Sequence, residues 1–231
     1  MIELHQFAPV DGVNMSPFCA KVETYLRLRR IPFRVVVDPP IREPKGKLPF
    51  IVDGDRRIAD SSDIVAHLET TRPDPLDAGL GPAERAAAHL VKRTLEESLY
   101  FAMLFDRWGI EANWTRTRDE LFAAIPGAIR PLVTALIRRK ILRDVKGQGT
   151  GRHGQEDVHR RGVADIDAVA EFLGARDFLV ADRPTVIDVT LFAFVDNLLR
   201  GGCPGPLREA ARSHAGLVGH HGRMTARIAD G

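Results

Sequence analysis

Cysteine is nearly absent from this 231-residue chain, which has only Cys19 and Cys203. Two thiols build neither a disulfide framework nor a four-cysteine zinc site, and free thiols in a reducing compartment suit them better than one bridge. Long apolar runs are missing too. The longest mostly apolar stretch, Val189 to Val195, falls far short of the roughly 20 residues of a bilayer-spanning helix, which excludes one. Neither sign of charge dominates: 33 Lys and Arg against 31 Asp and Glu leave +2, too little for a protein whose main task is gripping nucleic acid. There is no H-E-x-x-H or G-x-S-x-G pattern, and no G-x-G-x-x-G between the opening strand and its helix, so hydrolase and dinucleotide readings lose their main support. His214, His220 and His221 lie among glycines with no acid or cysteine at zinc spacing; they read as a solvated tail, and no metal is expected. Met1 to Phe7 alternates like a strand and lacks the basic start and apolar core of a signal peptide, so a cytoplasmic location is expected.

What is present is ordinary globular material: 44% hydrophobic and 28% charged residues, in a length that allows one large domain or two small ones. After the opening strand, Ser16 suits an N-cap and Pro17 the first position of a helix. Phe18, Val22, Tyr25 and Leu26 make its apolar stripe, with Arg29 at the solvent edge. Phe33 to Val37 is a β-branched strand, completing a βαβ opening. Asp38 to Leu48 carries Pro39, Pro40 and Pro44 and reads as a loop. Phe50–Val52 and Arg56–Ile58 flank Asp53-Gly54-Asp55 as a hairpin, and a helix with Ile64, Val65 and Leu68 starts near Ser61. Residues 72–82, with three prolines and two glycines, look like a linker.

Beyond the linker the strand signal fades. Val91, Leu95, Leu99 and Met103 follow one long helix and Val158, Ile166, Val169 and Leu173 another, while Pro126-Gly127 and Pro131 interrupt a helical stretch over 117–143. Arg138, Arg139, Lys140, Arg143 and Lys146 read as a solvated helix face, or as an attractor for an anionic ligand or membrane surface, with Leu132, Leu136 and Ile137 turned inward. The expected organisation is an α/β unit over 1–75 and an all-helical unit over 83–231.

Several residues have candidate chemistry. Ser16-Pro17-Phe18-Cys19 has the spacing of a C-x-x-C motif with serine in the first place, so a two-cysteine disulfide cycle is unavailable. Ser16 is either an N-cap alone or a hydroxyl that donates to a bound sulfur at a positive helix terminus. Cys19 reads as a packed small side chain. Leu48-Pro49 is either an ordinary strand entry or a cis bond that presents the Leu48 backbone to a peptide-like ligand. Asp60-Ser61-Ser62-Asp63 caps a helix, or holds the ammonium and carboxylate of an amino acid.

In that order and spacing these features resemble the glutathione S-transferase superfamily, as does Arg183-Pro184-Thr185-Val186-Ile187-Asp188, similar to the capping box of that superfamily's central helix. Asn14 to Leu26, Pro44 to Ile51 and Gly151-Arg152-His153 resemble more narrowly its metaxin-related branch, which includes failed axon connections proteins and bacterial relatives. The resemblance implies a thioredoxin-like first domain plus an all-α second domain. It implies glutathione as co-substrate, with the Leu48 backbone before a cis Pro49 on its cysteinyl part, Asp60 and Ser61 on its γ-glutamyl end, and Ser16 at the sulfur. The second substrate would be a small electrophile, with Trp108, Trp114, Arg152 and His153 as candidate pocket residues and a homodimer as the expected assembly. Two departures stand out. The loop between Phe7 and Ser16 is longer, and residues 38–48 are too short for the usual second helix, leaving Lys45 and Lys47 as candidates for the glycyl carboxylate. A non-catalytic binding or scaffold protein on the same fold is the alternative.

Overall fold

The computed structural model describes residues 1–38, 46–201 and 203–229. The first unit is a four-stranded sheet in the order β2-β1-β3-β4. Strand β1 (Ile2–Gln6) pairs in parallel with β2 (Phe33–Val37) across helix α1 (Pro17–Leu28), and antiparallel with β3 (Phe50–Asp53), which forms a hairpin with β4 (Arg56–Ala59). Gly54 takes positive φ in the hairpin turn, which a side chain would resist. Ile2 and Leu4 on β1 and Ile51 on β3 share a core with Val22, Tyr25 and Leu26 of α1 and Ile64, Val65 and Leu68 of α2 (Ser61–Thr71). The proline-rich loop falls mostly on residues 39–45, outside the described residues.

The second unit is all-helical. It runs through α3 (Pro82–Arg93), α4 (Tyr100–Gly109), α5 (Glu111–Leu121), α6 (Arg130–Gln148), α7 (Gln155–Leu173), α8 (Val186–Leu199), α9 (Pro206–Ser213) and α10 (Ala215–Ala229). The long helix expected from Val91 to Met103 is continuous but widens into a π turn at Thr94–Leu99, joining α3 to α4. Pro126-Gly127 falls in the break between α5 and α6, whereas Pro131 sits in the first turn of α6, where its missing N–H costs nothing.

Helix α8 joins the two units. Leu191, Phe194, Val195 and Leu198 belong to the helical core, while Val189 packs in the core of the sheet unit with Phe192 against it. Such a helix must be apolar on every side. Its start is a buried capping box in which the Asp188 carboxylate accepts from Thr185 N (2.9 Å), Thr185 Oγ1 (2.6 Å), Leu179 N (2.8 Å) and His220 Nε2 (3.1 Å).

Two expectations need correction. The C-terminal histidines are not a solvated tail, because α10 packs on the core and each imidazole meets a carboxylate: His214 with Asp167, His220 with Asp188, and His221 with Asp196. Those acids lie 25 to 47 residues away in sequence, where local spacing cannot reveal them. Leu132 and Leu136 are 66% and 59% exposed rather than inward. The buried side of α6 runs through Thr134 and Val145 instead. Thr134 satisfies its hydroxyl on the Arg130 carbonyl, and this lets a polar residue face the core.

Replacing Asp188 by Ala strands the Leu179 and Thr185 amides and a buried imidazole. The expected loss is about 3–5 kcal/mol of unfolding free energy, read by urea denaturation. Thr185→Ala, which removes the hydroxyl and a buried methyl but keeps the Asp188 carboxylate, is expected to cost about 1–2 kcal/mol.

Candidate functional site

One end of the sheet collects the candidate residues. His5 faces Phe50 and Phe50 faces Ala59 in register, so the exit of β1, the entry of β3 and the exit of β4 lie side by side. Pro49 and Asp60 stand just beyond the last two points. Cys19 packs on Leu48 and Phe50, which brings the first turn of α1, and with it Ser16, to the same end. The structure thus gathers Ser16, Leu48, Pro49, Asp60 and Ser61.

Ser16 is half-buried and caps α1, its Oγ accepting from Cys19 N at 3.3 Å. The hydroxyl also neighbours the Cys19 thiol, a weak acceptor for its proton. Burial pushes that thiol up to about 12, so Cys19 is a neutral packed group and not a nucleophile. The Leu48–Pro49 bond is cis. Asp60 adopts positive φ, is exposed, and accepts from Ser62 N at 2.9 Å to cap α2. Ser61 is buried, and among the described residues nothing bonds its hydroxyl. Lys47 is exposed, while Lys45 lies outside the described residues.

The loop before Ser16 is held from the helical unit. Arg107 of α4 donates to the Met15 carbonyl at 2.7 Å, and Asn197 of α8 donates to the Asn14 carbonyl at 2.9 Å. Asn14 in turn donates to the Phe7 carbonyl at 3.1 Å and accepts from Ser16 N at 3.1 Å. Tyr100 of α4 packs edge-on against Phe18, with ring centroids 4.7 Å apart. Beside this turn Lys21, only 1% exposed, donates to Glu96 of the π turn at 2.7 Å and lies 3.4 Å from Ser62 Oγ. Burial pulls its pKa down, and Glu96 opposes that. Sequence reasoning missed Asn14, Lys21, Glu96, Tyr100, Arg107 and Asn197. Only Lys21 carried a local signal, a charge between the buried positions Cys19 and Val22.

The four candidate pocket residues are not gathered around Ser16. Trp108 and Trp114 are buried against each other at 5.2 Å, with Phe122 nearby and Arg138 over the Trp114 ring. Arg152 and His153 line a cavity of about 450 Å³ whose walls come from the helical unit alone.

Comparison with known proteins agrees with this architecture. Residues 17–114 match the glutathione S-transferase N-terminal domain, and residues 162–224 match the glutathione S-transferase C-terminal domain. An isoprene-epoxide–glutathione S-transferase of Rhodococcus sp. (strain AD45) is 33% identical over 202 residues, 84% of each chain. Failed axon connections of Drosophila melanogaster is 29% identical over 97% of this chain, which spans 57% of that protein's length. Among solved structures, a glutathione-bound glutathione S-transferase of Methylobacillus flagellatus superposes with a TM-score of 0.65 at 16% identity, covering 100% of this chain and 98% of its own.

Two outcomes test the electrostatics of the site. Lys21→Met leaves the buried Glu96 carboxylate with only the longer 3.8 Å contact to Lys92 and is expected to cost about 3 kcal/mol in denaturation, most of it recovered when Glu96→Leu is added. With a pKa near 12, Cys19 is expected to resist alkylation by iodoacetamide at pH 8 in the folded protein and to react once the chain is unfolded in urea.

Proposed function

The chain belongs to the glutathione S-transferase family, and from that premise we propose that it binds glutathione at the sheet end and transfers its sulfur to a small hydrophobic electrophile. The observation that carries this reading is Ser16, a half-buried hydroxyl at the positive end of α1 that neighbours the neutral Cys19 thiol and, among the described residues, donates to no stronger acceptor.

In this reading the Leu48 backbone pairs with the cysteinyl part of the tripeptide. Asp60 takes the γ-glutamyl ammonium, and the uncommitted Ser61 hydroxyl takes its carboxylate at the start of α2. The Ser16 hydroxyl turns from Cys19 to the incoming sulfur. A hydroxyl donor and a helix terminus both favour the anion, and lowering a thiol pKa by two units requires about 2.7 kcal/mol, within reach of the pair. The thiolate then attacks the electrophile directly. The new carbon–sulfur bond forms as the electrophile's bond to its leaving group or ring oxygen breaks, with no covalent intermediate on the protein. Cys19, neutral and buried, takes no part.

Isothermal titration of reduced glutathione into the protein tests the binding step. Millimolar or tighter binding that weakens in Ser61→Ala is the expected result, and silence at several millimolar transfers the reading to a non-catalytic scaffold. Ser16→Ala is expected to leave affinity nearly unchanged while raising the pKa of the bound thiol, followed by thiolate absorbance. An unchanged titration would remove Ser16 from the chemistry.

A further inference from the structure

The cavity that Arg152 and His153 line draws no wall from the sheet unit, since every residue around it comes from α4, α7, the π turn, the last residue of α6 or the segment following it. Its volume of about 450 Å³ lies within the range of small-molecule sites.

The charge on its walls is unbalanced. Arg152, His153 and Arg161 all line it, and among the described residues no carboxylate lies within ion-pair distance of any of them. One acid, Asp165, also lines the cavity and Asp157 stands nearby, and both are already engaged. Asp157, whose charge is felt by His153 and Arg161, is held by Arg160 at 2.6 Å. Asp165 accepts from Ser98 Oγ at 2.6 Å, and burial raises its pKa, which reduces its claim on a cation.

The walls are also built rather than loose. Gln148 accepts from Thr150 N at 3.0 Å and Thr150 Oγ1 at 2.7 Å while donating to the Glu97 carbonyl at 3.2 Å. Arg152 Nε donates to the Lys146 carbonyl at 3.1 Å, which ties one edge of the guanidinium to the end of α6. A Cβ on Gly151 would stand 3.0 Å from the Lys146 backbone nitrogen, so this segment is packed onto the end of α6. The floor is small and apolar. At Gly162 a Cβ would lie 2.6 Å from Leu207 and 2.9 Å from Ala102, which keeps α7 tight against its neighbours and, with Val158, leaves a smooth base. Arg152, tied through Nε, has less side-chain entropy to lose on binding than a free arginine.

We propose that this cavity is a second ligand site, independent of glutathione, for a small organic anion: a carboxylate or phosphate head between Arg152, His153 and Arg161, and an apolar body on Ala102, Val158 and Gly162. A planar or bidentate head matches the guanidinium fork, and an inorganic ion would leave the floor uncovered.

Amide NMR titration of the full chain with benzoate, phenyl phosphate and neutral benzamide tests this. Saturable shifts confined to residues 98–102 and 148–165 are expected with one or both acids and not with benzamide, and the acid that binds identifies the head group. Arg161→Gln, a surface change, is expected to weaken binding about tenfold without altering thermal melting, and Arg152→Gln, which also gives up the bond to the Lys146 carbonyl, to weaken it about tenfold with the chain still folded. Ser16→Ala and saturating reduced glutathione are expected to leave the affinity unchanged. Equal shifts with benzamide, shifts elsewhere, insensitivity to both arginine variants, competition by glutathione or no saturable binding would each overturn the proposal.

Discussion

The Asp188 carboxylate is the point on which the molecule turns. Buried and bonded by four donors, it starts α8, fixes the 179–185 segment and anchors α10 through His220. Helix α8 then contributes apolar side chains to both cores, so the two units share a single central element. A carboxylate without its donors at that depth would be intolerable, and the box therefore commits α8, α10 and the preceding segment together.

The candidate thiol site hangs from this arrangement. Asn197, near the end of α8, holds the Asn14 carbonyl, and Arg107 of α4 holds the Met15 carbonyl, so the residues that position Ser16 belong to the helical unit. Lys21 and Glu96 make a second cross-unit tie, close to Ser62. A buried ion pair is a weak source of stability but a strong constraint on placement. The sheet supplies the ends of three strands at one edge, and the helices decide how the serine approaches them.

Much of this was legible from local pattern. Ser16-Pro17 as cap and first turn, the β-branched run Phe33 to Val37, the Asp53-Gly54-Asp55 turn and the Thr185–Asp188 box each depend on residues a few positions apart, and each forms as expected. The misread features share a different cause. His214, His220 and His221 looked solvated because their acids are distant in sequence. Leu132 and Leu136 looked inward because hydrophobicity alone cannot say which stripe of a marginally amphipathic helix meets a neighbour.

By itself, the sequence determined the strands, helices, caps and turns, and with them the two-part architecture, because those follow from spacing of two to four residues and from the backbone preferences of proline, glycine and serine. Only the tertiary structure decided which polar groups act together. Lys21 needed Glu96 75 residues on, Met15 needed Arg107 92 residues on, and Asn14 needed Asn197 183 residues on. Arg152, His153 and Arg161 gained a shared cavity only when α7 closed against α4 at Gly162. Pairings at such separations are set by how faces pack, and no local period encodes them.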